Sequence, residues 1–424
     1  MRTLQMGMKG TDVMEIQALL AKLGYNPGPV DGVFGPRMKA AVIRFQRNFG
    51  LNADGVVGPS THRALEPYLL GYSQYIIRSG DTFFNIAKRF RTSLPRLLAA
   101  NPGKNPNDLR PGQQLTVPFG INVVDTNISY TYEILERDVA GLKARYPFIE
   151  TGVAGKSVLN KNLYYIKLGV GPNQVFYNAA HHSLEWITSP LLMKFAEEFA
   201  KAYADGRTLP GGYSPRRIWD ESSIYIIPMV NPDGVDLVLN GLSPDNPFYE
   251  DLIRWNKGSS DFSSDWQANI RGVDLNHNYN AAWEESKAAE PVYGITGPGP
   301  TRYSGPFPES EPESKAVADF TRNRNFRLVL AYHTQGEVIY WDFMGMAPPE
   351  ARTIAEAFSK DSGYKLDETA GIASYAGYKD WFIKEYRRPG FTIEAGLGKN
   401  PLPVSQFGRI YNDNIKLLLH AAVI

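Results

Sequence analysis

The stretch that decides the fold of this chain is Gln174-Val-Phe-Tyr-Asn-Ala-Ala-His-His-Ser-Leu-Glu-Trp186. Its apolar part, residues 175–180, predicts a buried β-strand. A histidine and a glutamate three residues apart, His182 and Glu185, follow this strand directly. Imidazole and carboxylate groups are good zinc ligands, and a catalytic zinc usually takes three protein ligands and keeps one position for water. The stretch therefore predicts two metal ligands and requires a third elsewhere.

The alternative interpretation of this pair is an ordinary surface pair, because His-x-x-Glu occurs by chance on many helices and loops. His181 competes with His182, but Leu184 stands where a carboxylate would be needed, so His182 is the favoured ligand. The chain has six histidines and no cysteine. Disulfides, thiolate zinc sites and cysteine nucleophiles are thereby excluded, and any metal must be held by histidine, aspartate and glutamate.

The composition limits the classes of partner. A length of 424 residues predicts more than one domain. The formal net charge of +1 gives no argument for binding nucleic acid or an acidic membrane surface. We see no apolar segment typical of a signal peptide and no stretch long enough for membrane insertion. Retention inside the cell, export by another route and loss of a leader stay open as alternatives.

Residues 1–68 are predicted to form a small helical domain. A short element occurs twice, as Asp-Gly-Val-Phe-Gly-Pro from Asp31 and as Asp-Gly-Val-Val-Gly-Pro from Asp54, each time directly before a predicted helix. This internal repeat resembles the peptidoglycan-binding helical domain found on many wall hydrolases. The resemblance implies a peptidoglycan partner, and the alternative is an unrelated three-helix bundle.

Residues 73–118 are predicted to form a second module with the order strand, helix, helix, strand. Ser79-Gly-Asp-Thr82, Ala100-Asn-Pro102 and Leu109-Arg-Pro-Gly-Gln-Gln-Leu-Thr-Val-Pro118 stand where LysM domains have such residues. The segment thus resembles a LysM domain. That resemblance implies binding of glycans that contain N-acetylglucosamine, such as peptidoglycan and chitin.

Residues 124–424 form the third predicted domain, in which apolar strand-like runs alternate with helical patterns. This alternation indicates an α/β domain with a mainly parallel sheet. The strand candidates are residues 163–168, 175–179, 223–228, 326–332, 338–341 and 390–393. The helix candidates are residues 131–146, 191–204, 311–323, 350–359, 377–385 and 412–422. Long loops rich in Gly, Pro and Asn connect them, and such loops are where sites are usually built.

The predicted third zinc ligand is His333, which follows the apolar run 326–332 as His182 follows the first strand. Alone, a histidine there would more often be structural. Glu394 follows another short apolar strand, where an acid is costly unless it is paired or functional. As a general base it would take a proton from zinc-bound water and pass it to the leaving amine. The alternative for Glu394 is a structural salt bridge.

Two polar turns, Asn231-Pro-Asp-Gly234 and Gly272-Val-Asp-Leu-Asn276, complete the pattern. With His182-x-x-Glu185, His333 and Thr392-Ile-Glu394, in this order, they resemble the zinc carboxypeptidase, or funnelin, family. The resemblance implies a mixed eight-stranded sheet flanked by helices. It also implies one Zn²⁺ held by the two histidines and Glu185, with Glu394 as the general base.

The resemblance further implies an arginine that polarises the scissile carbonyl and stabilises the oxyanion. Arg271 is the candidate because it lies just before the Asn276 motif, and Arg254 is the fallback. The resemblance also implies a tyrosine on a mobile loop upstream of the base, and Tyr375 is the candidate. Asn276, the next residue His277 and Tyr375 are the predicted substrate-binding residues.

His277 decides the subclass. Exopeptidases of the family have Asn-Arg where this chain has Asn276-His277, and that arginine clamps the terminal carboxylate of the substrate as a bidentate pair. Histidine cannot form this fork and is only partly charged at neutral pH. The change resembles the branch of bacterial γ-D-glutamyl-L-diamino acid endopeptidases. The alternative is that His277 is polar packing without substrate contact.

The predicted function is a zinc-dependent peptidoglycan hydrolase that cleaves the γ-D-glutamyl–diamino acid bond of stem peptides, with diaminopimelate or lysine as the diamino acid. Its N-terminal modules would hold it on glycan strands of the cell wall. We therefore predict a wall-associated or extracellular protein. A cytoplasmic or spore-associated protein is the alternative. The competing functions are a metallocarboxypeptidase and a glycan-binding protein with a degenerate peptidase domain. The sequence leaves the oligomeric state open.

Overall fold

The structure, a computed structural model, describes residues 2–424 and divides into two compact units. The first unit comprises the chain up to Ser129 together with Glu133–Ile149 and Ala200–Asp205. The second comprises Tyr130–Tyr132, Glu150–Phe199 and Gly206–Ile424. Within the described residues, no helix combines the length and apolar character needed to cross a bilayer.

The first unit opens with three helices: α1 (Thr11–Lys22), α2 (Pro36–Asn48) and α3 (Pro59–Leu70). A proline begins both α2 and α3. The first N–H groups of a helix have no hydrogen-bond partner within the helix, so the N–H that proline lacks is not missed there. The sequence repeat has a structural cause in two buried glutamines. Gln17 of α1 donates a hydrogen bond to Asp31 (2.9 Å), and Gln46 of α2 donates one to Asp54 (2.9 Å). The side-chain oxygen of each glutamine also accepts the backbone N–H of the glycine that follows that aspartate.

The next elements are β1 (Tyr72–Ile76), α4 (Phe83–Arg89), α5 (Leu94–Ala99) and β2 (Gln114–Pro118). The two strands pair antiparallel, which confirms the predicted order of strand, helix, helix and strand. Thr82 and Ser93 cap the two helices, because each hydroxyl accepts a backbone N–H of the first turn. The helix α6 (Tyr132–Arg145) follows.

The second unit contains a mixed eight-stranded sheet flanked by helices, as predicted. Its strands are β3 (Glu150–Lys156), β4 (Asn162–Leu168), β5 (Asn173–Ala179), β6 (Ser222–Ile227), β7 (Leu328–His333), β8 (Val338–Tyr340), β9 (Lys365–Asp367) and β10 (Gly390–Glu394). The strand order is β3-β4-β6-β5-β7-β10-β8-β9. Four of the seven strand pairs are parallel, and the central strands β6, β5, β7 and β10 are parallel neighbours.

The remaining helices are α7 (Thr188–Asp205), α8 (Pro215–Glu221), α9 (Pro232–Asn240), α10 (Tyr249–Trp255), α11 (Trp283–Ala289), α12 (Pro312–Arg322), α13 (Pro349–Ser362), α14 (Tyr378–Tyr386) and α15 (Phe407–Val423). Every predicted strand and helix of this domain lies on an observed element. The strands β3 and β9 and the short helices α8 to α11 were not predicted.

Glu313, in the first turn of α12, is a buried acid. Its carboxylate accepts the backbone N–H of Val158 (3.0 Å) and the side-chain amide of Asn269 (3.3 Å). Burial, together with the negative charges of Asp233 and Glu311, raises the pKa of Glu313 to about 8. The folded chain therefore holds a proton here that the unfolded chain releases near its ordinary pKa of 4.5.

We expect this group to make the protein less stable as pH rises from about 5 to about 8. Its contribution is fully present below the unfolded pKa and is lost as pH rises through the folded pKa. One pKa unit corresponds to about 1.4 kcal/mol, so the loss is at most roughly 5 kcal/mol. Urea unfolding of the wild type and of Glu313→Gln across this pH range measures it. The stability of the variant relative to the wild type should rise with pH, and parallel curves would contradict the expectation.

Candidate active site

His182 and Glu185 lie just beyond the carboxyl end of β5. The chain turns at Ala180, whose backbone is left-handed (φ 52°), and then forms a short 3₁₀ turn at Ser183–Glu185. This turn brings the Nδ1 atom of His182 to 3.0 Å from Oε1 of Glu185. The predicted pair is thus aimed inward, and it is not a surface pair.

His333 is the last residue of β7, the strand beside β5. Its Nδ1 atom lies 2.8 Å from Oε2 of Glu185, so the carboxylate stands between two imidazoles. The donor atoms of His182, Glu185 and His333 all lie within 4.8 Å of one another. Two histidines and one carboxylate, converging at a buried point, fit the three-ligand set of a catalytic zinc.

The neighbouring His181 points elsewhere. Its Nε2 atom hydrogen-bonds the hydroxyl of Tyr279 at 2.9 Å, and its ring is fully buried. Burial, followed by the other two histidines, lowers the pKa of His181 well below its ordinary value, so the ring is neutral. The structure thus places His182, and not His181, beside Glu185.

Asp274 belongs to the site and was missed by the sequence analysis. Its Oδ1 atom lies 3.0 Å from Nε2 of His182, and its Oδ2 atom accepts the backbone N–H of Arg302 at 2.8 Å. A carboxylate on the outer nitrogen of a metal-binding histidine fixes the tautomer and orientation of the ring. The signal was present in the quoted motif Gly272-Val-Asp-Leu-Asn276, whose aspartate was given no role.

At two groups of this site, neighbouring charges outweigh the effect of burial on the pKa. Burial alone would lower the pKa of His182, but Glu185 and Asp274 hold it well above the ordinary value. Burial would likewise raise the pKa of Glu185, but His182 and His333 hold it at about 2. The Glu185 carboxylate is therefore ionised at neutral pH, as a metal ligand must be.

Replacement of Asp274 by Asn should weaken zinc binding about tenfold to a hundredfold, because loss of such an outer partner commonly costs that much. Zinc affinity of the purified full-length protein, measured by competition with a chelator, tests this. The matched control is Asp361→Asn, which removes the carboxylate 2.6 Å from Nδ1 of His420, a pair outside the site. Equal zinc affinities of the two variants would contradict the role of Asp274.

Glu394 is the last residue of β10 and stands opposite His333 in the parallel register of β7 and β10. Burial, and next the charge of Glu185, raise the pKa of Glu394 well above its ordinary value. No lysine or arginine among the described residues forms an ion pair with it, which leaves the salt-bridge alternative without support.

The arginine candidates do not contact the His–Glu–His group in the described part of the chain. Arg271 has a side chain that is 41% exposed, with its Nε atom 3.8 Å from Glu311. Arg254 forms an exposed ion pair with Asp251. A role of either residue in stabilising an oxyanion stays a prediction.

The predicted substrate-binding residues lie in different environments. Asn276 is half-buried, and its side-chain oxygen accepts the backbone N–H of Tyr378 at 3.1 Å. Tyr375 is half-buried just after the 3₁₀ turn Gly371–Ser374. His277 is only 8% exposed and lies 3.3 Å from the hydroxyl of Ser286, and burial lowers its pKa. A neutral, packed His277 favours the alternative that it makes no contact with a substrate.

Comparison with known protein families gives three matches. A model described as zinc carboxypeptidase matches residues 135–417, a putative peptidoglycan binding domain matches residues 9–65, and a LysM domain matches residues 75–118. The three matched ranges fall inside the three predicted domains. The resemblances inferred from the sequence motifs are thereby confirmed.

Two individual relatives are also peptidases by name. The γ-D-glutamyl-L-diamino acid endopeptidase 1 of Lysinibacillus sphaericus is 41% identical over 396 residues, which cover 81% of this chain and 98% of that protein. Carboxypeptidase B of Rattus norvegicus is 26% identical over 290 residues, or 63% of this chain and 64% of that protein.

Among solved structures, bovine thrombin-activatable fibrinolysis inhibitor in complex with tick carboxypeptidase inhibitor aligns with a TM-score of 0.53 at 19% identity, over 70% of this chain and 97% of that one. At this identity the likeness shows the shared fold. The family model spans more than half of the sequence, and the match to the relative from Lysinibacillus sphaericus covers 81% of it. The chain therefore belongs to the zinc carboxypeptidase family of metallopeptidases.

Proposed function

We propose that this chain is a zinc-dependent peptidoglycan hydrolase that cleaves the bond between γ-D-glutamate and the diamino acid of stem peptides. The observation that carries the proposal is the 41% identity to a γ-D-glutamyl-L-diamino acid endopeptidase over nearly the whole of that relative. The converging His–Glu–His group and the carboxylate at the end of β10 support it independently.

His182, Glu185 and His333 would hold one zinc ion in the catalytic domain. When bound, zinc acts as a Lewis acid on the carbonyl oxygen and lowers the pKa of a bound water. Asp274 keeps the Nδ1 atom of His182 directed at Glu185 through the contact with Nε2. The burial of Glu185 and His333 keeps bulk water from competing for these donor atoms.

Glu394 is the proposed general base. Its carboxylate takes a proton from the attacking water, whose oxygen bonds to the γ-carbonyl carbon of D-glutamate. The carbon–nitrogen bond then breaks, and Glu394 delivers the proton to the amine of the diamino acid. A divalent cation held by His182, Glu185 and His333 would favour the ionised form of Glu394. Arg271, with Arg254 as the fallback, is the proposed donor to the oxyanion.

The environment of His277 supports an endopeptidase over a carboxypeptidase. A buried, neutral imidazole held beside Ser286 cannot clamp the terminal carboxylate of a substrate. Asn276 and Tyr375 are the remaining proposed substrate contacts. The four residues of the metal and base set are all present, which argues against a degenerate peptidase domain.

The two N-terminal modules are the reason for proposing that the enzyme is located at the cell wall. Peptidoglycan-binding and LysM modules both match the N-terminal segment, and glycan strands are their proposed partner. Binding to the strands raises the concentration of stem peptides near the catalytic domain, which increases turnover without any new catalytic contact.

Mass spectrometry of products from defined peptides tests the function. The substrates are L-Ala-γ-D-Glu-diaminopimelate with and without a following D-Ala, and the matching lysine peptides. We expect release of L-Ala-D-Glu from the diamino acid, and no release after chelation of zinc. The preferred peptide of the two pairs identifies the diamino acid. Removal of the terminal residue alone would show a carboxypeptidase and overturn the proposal.

A further inference from the structure

Arg302 lies on the long loop between α11 and α12, directly beside Asp274. The backbone N–H of Arg302 donates to Oδ2 of Asp274 at 2.8 Å, and the N–H of Asp274 donates to the carbonyl of Tyr303 at 2.8 Å. The other carboxylate oxygen of Asp274 contacts the proposed zinc ligand His182. A single carboxylate therefore separates the backbone of Arg302 from the proposed metal ligands.

The guanidinium of Arg302 has no anionic partner within the described chain. The residue is exposed, and its side chain forms no hydrogen bond or ion pair with any described residue. Two acids in contact with this loop, Asp274 and Glu290, already pair with His182 and Lys287. A cation left over beside a catalytic site is suited to an anionic group of the substrate, and a guanidinium matches a carboxylate as a bidentate pair.

An aromatic ring orients this guanidinium. The central carbon of the Arg302 guanidinium lies 5.4 Å from the ring centroid of Tyr293, within the range of a cation–π contact. Tyr293 in turn packs against the turn Gly371–Ser374, because a Cβ atom placed on Gly371 would lie 2.6 Å from the Tyr293 hydroxyl oxygen. Tyr375, a proposed substrate contact, directly follows that turn. The guanidinium thus lies at the rim of the proposed substrate site.

His277 indicates which side of the scissile bond Arg302 faces. Burial is the main cause that lowers the pKa of His277, and the positive charges of His182 and Arg302 lower it further, so Arg302 lies within electrostatic range of this ring. His277 stands where exopeptidases of the family hold the end of the substrate beyond the scissile bond. Arg302 is therefore placed on the side of the leaving amine, which belongs to the diamino acid.

The two candidate diamino acids differ in one group. Diaminopimelate carries a second carboxylate at the far end of its side chain, where lysine has the amine alone. The main-chain carboxyl is consumed in an amide whenever D-Ala follows, but the side-chain carboxylate remains. A guanidinium at this position would attract diaminopimelate and repel the lone ammonium group of lysine, so that specificity comes from both an attractive and a repulsive contact.

We propose that Arg302 determines specificity by pairing with the side-chain carboxylate of diaminopimelate, and that it selects this diamino acid over lysine. The inference rests on the proposed function and deepens it by naming the substrate class. Tyr293 acts as a positioning residue, because its ring orients the guanidinium. Arg302 transfers no proton, so its removal should raise KM more than it lowers kcat.

Steady-state kinetics of the full-length, zinc-loaded protein test this assignment. The substrates are L-Ala-γ-D-Glu-diaminopimelate and L-Ala-γ-D-Glu-lysine, each with and without a following D-Ala. We expect Arg302→Gln to lower kcat/KM about tenfold to a hundredfold on both diaminopimelate peptides, mainly through KM, the usual effect of losing one charge-assisted pair. Cleavage of the lysine peptides should not decrease. Arg302→Lys should recover part of the preference, because it keeps the charge without the planar fork.

Arg387→Gln is the matched control. Arg387 is exposed and has a left-handed backbone like that of Arg302 (φ 52° and 64°). It precedes β10, at the opposite end of that strand from Glu394. The control should cleave all four peptides as the wild type does. Thermal melting and zinc content check that each variant is folded and loaded.

Three results would overturn the inference. An equal loss on all four peptides in Arg302→Gln would place the recognised carboxylate on D-glutamate, which they share. A loss confined to the peptides without D-Ala would place the terminal carboxylate on Arg302. A wild type that cleaved the lysine peptides as efficiently as the diaminopimelate peptides would leave no preference to explain. Absence of hydrolysis of every peptide by the wild type is the separate result that overturns the proposed function.

Discussion

Glu394→Gln should lower kcat for stem-peptide hydrolysis by about a hundredfold to ten-thousandfold, the range that a general base contributes. Glutamine has nearly the same shape as glutamate but cannot accept the proton of the attacking water. The residue ends β10, whose backbone pairs with β7 on one side and β8 on the other, so the variant should keep the fold. The observation that favours a role in catalysis is a carboxylate with no cationic partner in the described structure, placed across from His333.

The measurement is kcat on the soluble peptide, with zinc content determined on the same sample. Glu385→Gln is the matched control, because this exposed glutamate stands nine positions earlier on α14. A loss of less than tenfold in Glu394→Gln would show that another group is the base. Loss of zinc from this variant would instead make Glu394 a ligand, and the control should retain both zinc and activity.

His333→Ala should remove zinc from the purified protein and abolish hydrolysis. The change deletes one of the three donors that converge in the described structure, so the loss in zinc affinity should exceed the roughly hundredfold loss expected for an outer partner such as Asp274. It also leaves the Glu185 carboxylate buried with one imidazole in place of two. A buried charge that loses its partner is strongly destabilising in the absence of metal.

Elemental analysis and chelator competition give the zinc stoichiometry and affinity. The control is His420→Ala, which removes a histidine paired with Asp361 outside the site. We expect about one zinc per chain in the wild type and the control, and none in His333→Ala after dialysis. A variant that retained stoichiometric zinc would show that the ligands lie elsewhere, even if it were inactive.

The centre of the sheet could be predicted because its physical signal is local. The strands β5 and β7 are buried on both faces, so they appear as continuous apolar runs in the sequence. The strand β3, at the edge of the sheet, is half-exposed and carries two glycines, and β9 is only three residues long. Neither pattern differs from that of a loop.

The same distinction applies to the site. His182, Glu185 and His333 each follow a predicted strand, so the sequence could indicate that they meet. The role of Asp274 depends on a loop that folds back to reach Nε2 of His182, a contact across ninety-two positions in the chain. No local pattern reports it. His277 was weighed as a substrate contact because it stands where the family has an arginine, and the sequence did not show that its ring is buried against Ser286.

The order of the strands in the sheet has a consequence for synthesis of the protein. The strand β10 lies between β7 and β8, although it is made after both. A ribosome adding about 5–20 residues per second would complete the proposed zinc ligands several seconds before it reached the proposed base. An unfinished chain would thus carry the three proposed metal ligands without the proposed base, and the strand β7, which ends at His333, would still lack its neighbour β10.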